Sequence, residues 1–278
     1  MKIKYLGTGA YEGIPALFCD CDICRNAKKL GGKELRTRQQ CLINDELLMD
    51  FGPDTLIHSH MYKIDWTKIH NILITHTHSD HFYVKDYEQL NNFYSHQENK
   101  RVNIYGGSSL IDILNNNFSH PKAKEEHRLI GVWKEVHQGE EFDFDGYHVM
   151  AIKANHPEKT TPYIYAIKKD NKSILYANDT AMLCDESFEY IKQFGHFDLV
   201  SIDCTGANLN ERWVSHHMTL LDVLEFINIL TKNGNIDETT IKVITHISHN
   251  SKTTHYELEQ ACEKHNIIAA YDGLEIKL

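Results

Sequence analysis

The sequence predicts one α/β domain spanning residues 1–278. Three observations carry that expectation. Short apolar runs that read as strands alternate with stretches at helical spacing. No solenoid-type repeat or low-complexity linker divides the chain. Metal-ligating residue types recur just past the ends of the strand-like runs.

The densest of these places is Thr75-His76-Thr77-His78-Ser79-Asp80-His81, directly after the apolar run Ile72-Leu73-Ile74. Imidazoles and a carboxylate packed this tightly would repel one another or stay desolvated without a cation between them. The His-x-His-x-Asp-His spacing therefore reads as a site for Zn- or Mn-class metals. A His-rich surface loop is the bland alternative. It is disfavoured because matching ligand types return downstream.

Size and composition narrow the classes. A chain of 278 residues, 41% apolar and 24% charged, can bury a large core as an ordinary globular protein. Its 29 basic and 39 acidic residues give a net charge of −10, which argues against a broad nucleic-acid footprint. A small anionic substrate stays open, since bound divalent cations make a site locally positive. No apolar run approaches the ~20 residues of a membrane span, and Met1–Gly7 has no signal-peptide profile. A cytoplasmic location is the expectation. Seven cysteines, three of them crowded in one loop, fit thiolates held reduced for metal better than a disulfide framework.

In chain order, Ile3–Leu6 reads as a first strand running into Gly7-Thr8-Gly9, a tight turn that either lines a cleft or is a turn only. No Gly-Lys-Ser/Thr follows, which excludes a P-loop. Cys19, Cys21 and Cys24 stand at a spacing that lets three thiolates reach one ion, with a fourth ligand required from elsewhere. Arg25–Gln40 reads as a charged surface loop with at most a helical turn. Arg36 and Arg38 are expected as solvated charge, with a substrate phosphate as the alternative partner. Cys41–Ile43 and Leu47–Met49 flank Asn44-Asp45 as a hairpin. Asp50 at the second strand's tip is placed either to orient a ligand imidazole or to cap the next turn.

Asp54 opens a helix to about Tyr62 with Leu56, Ile57 and Met61 on one side, His58 and His60 being ordinary. Val84–Tyr94 reads as helical, Val102–Tyr105 as a strand and Ser108–Asn116 as a helix. Leu129–Val132, Glu141–Phe144 and Tyr147–Ala154 are strand-like, the last ending at Asn155-His156-Pro157, where His156 is well placed as a ligand but taken alone is more often a satisfied loop histidine. Tyr163–Ile167 and Ser173–Ala177 form a hairpin around Asp170-Asn171. The second strand runs into Asp179, where a carboxylate can bridge two metals about 3.5–4 Å apart. Leu199–Ile202 is a strand tipped by Asp203. His216 and His217 precede a helix that Thr219 and Asp222 cap, with Leu220, Leu224, Ile227 and Leu230 on one face. Ile241–Thr245 is a buried strand followed by His246 and His249. His255–His265 is helical, and short strands around Ile268 and Ile276 close the chain.

The ordered series Asp50, His76-x-His78-x-Asp80-His81, His156, Asp179, His246 resembles the metallo-β-lactamase fold superfamily over nearly the whole chain. A finer resemblance is to the phosphoribosyl cyclic phosphate phosphodiesterases of the carbon–phosphorus lyase pathway. It rests on Gly7-Thr8-Gly9 with Gly13 and Pro15, the Cys19/Cys21/Cys24 loop, Asn178–Ala181, Asp203-Cys204 and Thr245–His249. The resemblance implies a four-layer αββα sandwich with the site at one edge between two sheets. It implies His76, His78 and His156 on one metal, Asp80, His81 and His246 on the other, and Asp179 between them. It implies a structural zinc held by Cys19, Cys21, Cys24 and His249, and His217 as general acid. The loop after Asp203 departs from that family in length and composition.

The expected activity is hydrolysis of a small phosphodiester, a cyclic ribose phosphate being the implied class. A hydroxide shared by two divalent cations, Mn or Zn, would attack, with Asp80 and His217 as catalytic residues. Rival readings are a tRNA 3′-processing endonuclease of the same superfamily, for which −10 is a poor fit, and a relative of pyrroloquinoline quinone biosynthesis protein B. A metal-bearing module that binds without turnover, and thioester or β-lactam hydrolysis, also stay open, as does a homodimer.

Overall fold

The structure, a computed structural model, describes residues 1–96, 101–118, 131–211 and 216–278. Side chains alternate across the strands, and this sorts the apolar residues into three cores separated by two sheets. The first sheet contains β1 (Lys2–Gly7), β2 (Gln40–Ile43), β3 (Leu47–Met49), β4 (Asn71–Leu73), β5 (Val102–Gly106), β6 (Gly131–Glu135) and β14 (Glu275–Lys277), in the order β14-β1-β2-β3-β4-β5-β6. The second contains β7 (Glu141–Phe144), β8 (Tyr147–Lys153), β9 (Tyr163–Lys169), β10 (Lys172–Ala177), β11 (Leu199–Asp203), β12 (Ile241–Thr245) and β13 (Ile267–Ala269), in the order β13-β12-β11-β10-β9-β8-β7.

Cys41, Ile43, Leu47 and Met49 face Tyr147, Val149, Tyr165, Ile167, Ile174 and Tyr176 in the central core between the sheets. Their neighbours point the other way. Leu42, Leu48 and Ile72 meet Leu110 and Leu114 of α4 (Ser108–Phe118). Leu175, Ala177, Ile164 and Ala166 meet four helices: α1 (Asp22–Leu30), α5 (Asp185–Phe194), α6 (Leu220–Lys232) and α7 (His255–Glu263). This gives the expected αββα order of layers.

Both sheets are mixed. β3 runs parallel to β4, and β10, β11 and β12 are parallel to one another. β8 is antiparallel to β9, which is antiparallel to β10, so β8 shares their direction. The C-terminal ends of β3, β4, β8, β10, β11 and β12 therefore open on one edge. Tyr163 N donates to Thr75 O at 2.8 Å and Tyr165 Oη to Ile74 O at 2.8 Å, tying the two sheets together there.

Local signals set the turns. Asn44 and Asp45, and Asp170 and Asn171, all take positive φ, as tight hairpin turns demand of their central residues. Thr219 and Asp222 form the expected capping box of α6. Val223 and Phe226 rather than Leu224 and Ile227 occupy that helix's most buried face.

Four expectations are corrected. Arg25–Gln40 is not mainly loop, because Asp22–Leu30 is a helix that Cys21 caps by accepting from Cys24 N. Arg36 is buried rather than solvated. Its guanidinium donates to Thr8 Oγ1 and Ala270 O, both at 2.7 Å, and lies 2.8 Å from His255 Nδ1. In α2 (Thr55–Tyr62), Leu56, Ile57 and Met61 face solvent while Thr55 and His58 are buried. A polar network under the helix, with His58 2.6 Å from Gln40 Oε1 and 2.7 Å from Thr37 Oγ1, outweighs the apolar stripe. The helix expected from Val84 stops early: α3 covers Val84–Tyr87, and a 3-10 turn ends at Leu90. Arg38 pairs with Asp54 at 3.0 Å. Leu129 lies outside the described residues. Among the described residues no helix is long and apolar enough to cross a membrane.

Candidate metal centre

The loop after β4 is shaped by Asp50 at the tip of β3. Asp50 Oδ1 accepts from Thr75 N and Thr75 Oγ1, both at 2.8 Å, and its Oδ2 lies 2.8 Å from His81 Nδ1. That contact fixes the ring so that Nε2 points inward. Asp50, Asp179 and His246 all adopt left-handed backbone, with φ of +66°, +55° and +64°. Such conformations cost non-glycine residues of order 1 kcal/mol or more each, and here each turns a side chain back over a strand end. At Gly52 a Cβ would come within 1.9 Å of the Asp80 carbonyl oxygen, so glycine lets the two loops close on each other.

Two groups of ligand atoms result. In the first, His78 Nδ1 lies 2.9 Å from His76 Nε2 and 3.1 Å from His156 Nε2. In the second, His81 Nε2 is 3.2 Å from Asp80 Oδ2 and 3.4 Å from His246 Nε2. Asp179 Oδ2 belongs to both, 3.2 Å from His76 Nε2, 3.2 Å from His81 Nε2 and 3.6 Å from His246 Nε2. Within each group the ligand atoms lie within 4.8 Å of one another.

Electrostatics fit a cationic guest. Burial holds His76 down to about 3 and His156 to about 4, and lowers His78, so all three imidazoles are neutral. Burial opposes ionisation of Asp80 and Asp179, but the surrounding imidazoles outweigh it and keep both well below the usual carboxylate range. Neutral imidazole and ionised carboxylate are the ligating forms. His81 is buried too, yet Asp80 and Asp50 push it well above its ordinary value: the pocket demands positive charge. Asp179 Oδ1 is buried without a well-aligned hydrogen bond, its nearest polar neighbours being ring nitrogens of His217 at 3.1 Å and His156 at 3.3 Å.

Further residues hold the ligands. Asp203 Oδ2 lies 3.4 Å from both His246 Nδ1 and His217 Nδ1, and its Oδ1 accepts from Met218 N at 2.9 Å. Thr205 Oγ1 sits 2.8 Å from His246 Nδ1, and His216 O lies 3.3 Å from His156 Nδ1. His217 Nδ1 is 3.1 Å from Asp179 Oδ1. Burial would lower the His217 ring, but Asp179 and Asp203 outweigh it and raise it to about 10. These residues enclose a cleft of about 410 Å³, whose other wall is Ala10, Tyr11, Glu12, Ser248 and Asn250. The Gly7–Gly9 turn thus leads into a cleft wall.

A second cluster stands apart. His249 Nδ1 lies 3.4 Å from Cys21 Sγ, 3.5 Å from Cys19 Sγ and 3.6 Å from Cys24 Sγ. A tetrahedral zinc at ordinary Zn–S and Zn–N lengths separates its ligands by roughly 3.6 Å, so the set fits. Burial opposes ionisation of the Cys21 thiol, but His249 and the Cys24 amide bring it to about 6, while burial pushes Cys24 up to about 12.

Every residue singled out as a metal ligand is thus brought into one of these clusters, and His217 beside the first. Sequence reasoning gave no role to Asp203, Thr205 or Glu12. Asp203 shares with Asp50 a strand-tip position that could have marked it; Glu12 has no such local signal.

Comparisons place this geometry among known proteins. A family model described as a β-lactamase superfamily domain matches residues 46–247. Ribonuclease Z of Archaeoglobus fulgidus is 26% identical over 42% of this chain and 37% of that protein. The octanoyltransferase of Porphyromonas gingivalis is 24% identical over 99% of this chain and 51% of that protein. The chain therefore spans about half or less of these curated relatives. A solved diphosphatase from the PhnP family superposes with a TM-score of 0.73 at 23% identity, covering 100% of this chain and 97% of that one. With the family model matched from β3 to beyond β12, over the stretch that carries the His/Asp clusters, the chain belongs to the β-lactamase superfamily.

Proposed function

We propose that the chain is a metal-dependent hydrolase that cleaves a small phosphodiester, with a cyclic ribose phosphate as the substrate class. The observation that carries this reading is Asp179 Oδ2, equidistant at 3.2 Å from an imidazole of each ligand group. His76, His78, His156 and Asp179 would hold one divalent cation, Mn or Zn, and Asp80, His81, His246 and Asp179 the other. Bound there, such cations acidify water and offset the charge that grows at phosphorus.

The remaining work falls to the chain. Asp50, Thr205 and the His216 carbonyl aim the rings. His217, kept protonated by Asp203 and Asp179, gives its proton to the departing alkoxide. Cys19, Cys21, Cys24 and His249 would hold a zinc with no open position, a staple between the loop and the segment after β12. Residues 1–278 would act as one domain. Seven cysteines outside any disulfide accord with a cytoplasmic location, and sedimentation of the purified chain reads out a homodimer.

The cleft supports a small substrate. Its volume of about 410 Å³ suits a sugar phosphate, and its lining holds no lysine or arginine among the described residues. The second reading, cleavage of precursor tRNA, is favoured by the ribonuclease Z relative and opposed by the net charge of −10. The test is release of 4-nitrophenolate from bis(4-nitrophenyl) phosphate, alongside precursor tRNA. Turnover that chelation removes and Mn or Zn restores supports the proposal. No metal-dependent release from the diester overturns it, and efficient cut tRNA favours the second reading.

A further inference from the structure

The cleft has two unlike walls. One carries the imidazoles and Asp80. The other carries Glu12, whose role neither the ligand clusters nor the proton donor explains. Glu12 follows the β1 turn and is three-quarters buried, its side chain 24% exposed. One of its oxygens is tethered: Oε1 accepts from Ser248 Oγ and lies 3.5 Å from His249 Nε2. His249 uses its other nitrogen toward the three thiols. The cysteine cluster, His249 and Ser248 thus hold the Glu12 carboxylate at a fixed place on the cleft wall. Among the described residues no hydrogen bond engages its second oxygen, Oε2, and no lysine or arginine lines the cleft to neutralise it. Asn250 lines the same wall, its backbone N–H held by Ser248 Oγ at 3.0 Å.

A carboxylate oxygen with no donor, on the wall of a cleft for an anion, is a liability unless the substrate brings a donor to it. Phosphate oxygens bring none. A hydroxyl on the esterified alcohol does, and a hydrogen bond to a charged acceptor is among the stronger ones. A site built to accept from a hydroxyl also rejects an analogue that lacks it, because the acceptor is then desolvated without a partner.

We infer that Glu12 is a specificity-determining residue: its free oxygen accepts a hydrogen bond from a hydroxyl on the alcohol portion of the phosphodiester, so the site selects polyol or sugar esters over plain alkyl or aryl ones. The inference rests on the phosphodiesterase reading above. It extends that reading by naming the residue that reads the alcohol, and by giving the cysteine cluster a second consequence, the placement of that residue.

The test uses the metal-loaded protein and two diesters with the same charge and leaving group: 2,3-dihydroxypropyl 4-nitrophenyl phosphate and propyl 4-nitrophenyl phosphate. The wild type should prefer the diol in kcat/KM by about ten- to a hundredfold, the range of one hydrogen bond to a charged group. Glu12→Ala should erase that preference by losing only the diol's advantage, mainly as a rise in KM. Glu12→Gln, which keeps an acceptor without charge, should retain part of it. Metal content and Tm, measured on each variant, should match the wild type. An equal loss on both diesters, or an undiminished preference in Glu12→Ala, overturns the inference while leaving phosphodiester hydrolysis intact. Absence of turnover on either ester with the wild type sinks the parent reading instead.

Discussion

Replacing His217 with alanine separates proton donation from the rest of the site. The ring sits between two carboxylates, 3.1 Å from Asp179 Oδ1 and 3.4 Å from Asp203 Oδ2 through Nδ1, which leaves Nε2 for the substrate. Burial alone would favour the neutral ring, yet the pair raises it to about 10, so the acid form dominates at neutral pH. General acid assistance contributes about 10²–10⁴ in rate, or about 3–5 kcal/mol of barrier. His217→Ala should lose that factor on a diester whose leaving group is an alkoxide, a stronger base than the ring. It should lose less than about tenfold where 4-nitrophenolate leaves, since that anion departs unprotonated. The assay is kcat on a methyl ester and on the matching 4-nitrophenyl ester, at equal metal occupancy. Equal losses on the two would refute the proton-donor role and recast His217 as a support for Asp179 and Asp203.

Three other outcomes follow from the geometry. Asp80→Ala removes a ligand from the second group only, and metal analysis should find one cation fewer there; full occupancy would contradict the ligand assignment. Cys21→Ser removes a thiolate while leaving a hydroxyl able to cap α1. Zinc content should fall by one and Tm by about 5–10 °C, a loss of about 2–3 kcal/mol for a chain of this size. His58 lies buried between Gln40 and Thr37, and burial, opposed only by Asp54, lowers it to about 4. The unfolded chain binds its proton near 6.5, so its contribution is fully present above that pH and is lost as pH falls toward 4, by about 3 kcal/mol. Urea unfolding of His58→Gln between pH 7 and 4.5 should show a correspondingly flatter pH dependence than the wild type, and identical slopes would contradict this.

Much of the architecture was legible because it depends on neighbours in sequence. Asn44-Asp45 and Asp170-Asn171 supply the positive φ their hairpins need. Thr219 and Asp222 cap α6 from within one turn. The His76–His81 spacing and the strand end before Asp179 point to ligands on their own, while His156 and His246 enter through the family resemblance; members of the set meet across 165 positions of chain. What escaped depends on partners far away. Arg36 reads as surface charge until Thr8, Ala270 and His255 are seen around it. The Leu56–Met61 stripe reads as a buried face until His58 is found bonded to Gln40 and Thr37 beneath it. Glu12 looks like one more turn residue until Ser248 and His249, more than 230 positions later, are found holding it. Local chemistry announces turns, caps and dense ligand clusters; the contacts that aim those clusters are set by the packing of distant strands.

One shared carboxylate, that of Asp179, decides whether the two ligand groups form a single centre. Anomalous scattering at the Mn or Zn edge from crystals of the metal-loaded protein measures it directly. The account predicts two peaks flanking Asp179 Oδ2, one beside His76, His78 and His156 and the other beside Asp80, His81 and His246. A single peak, or two peaks with Asp179 touching neither, would contradict it.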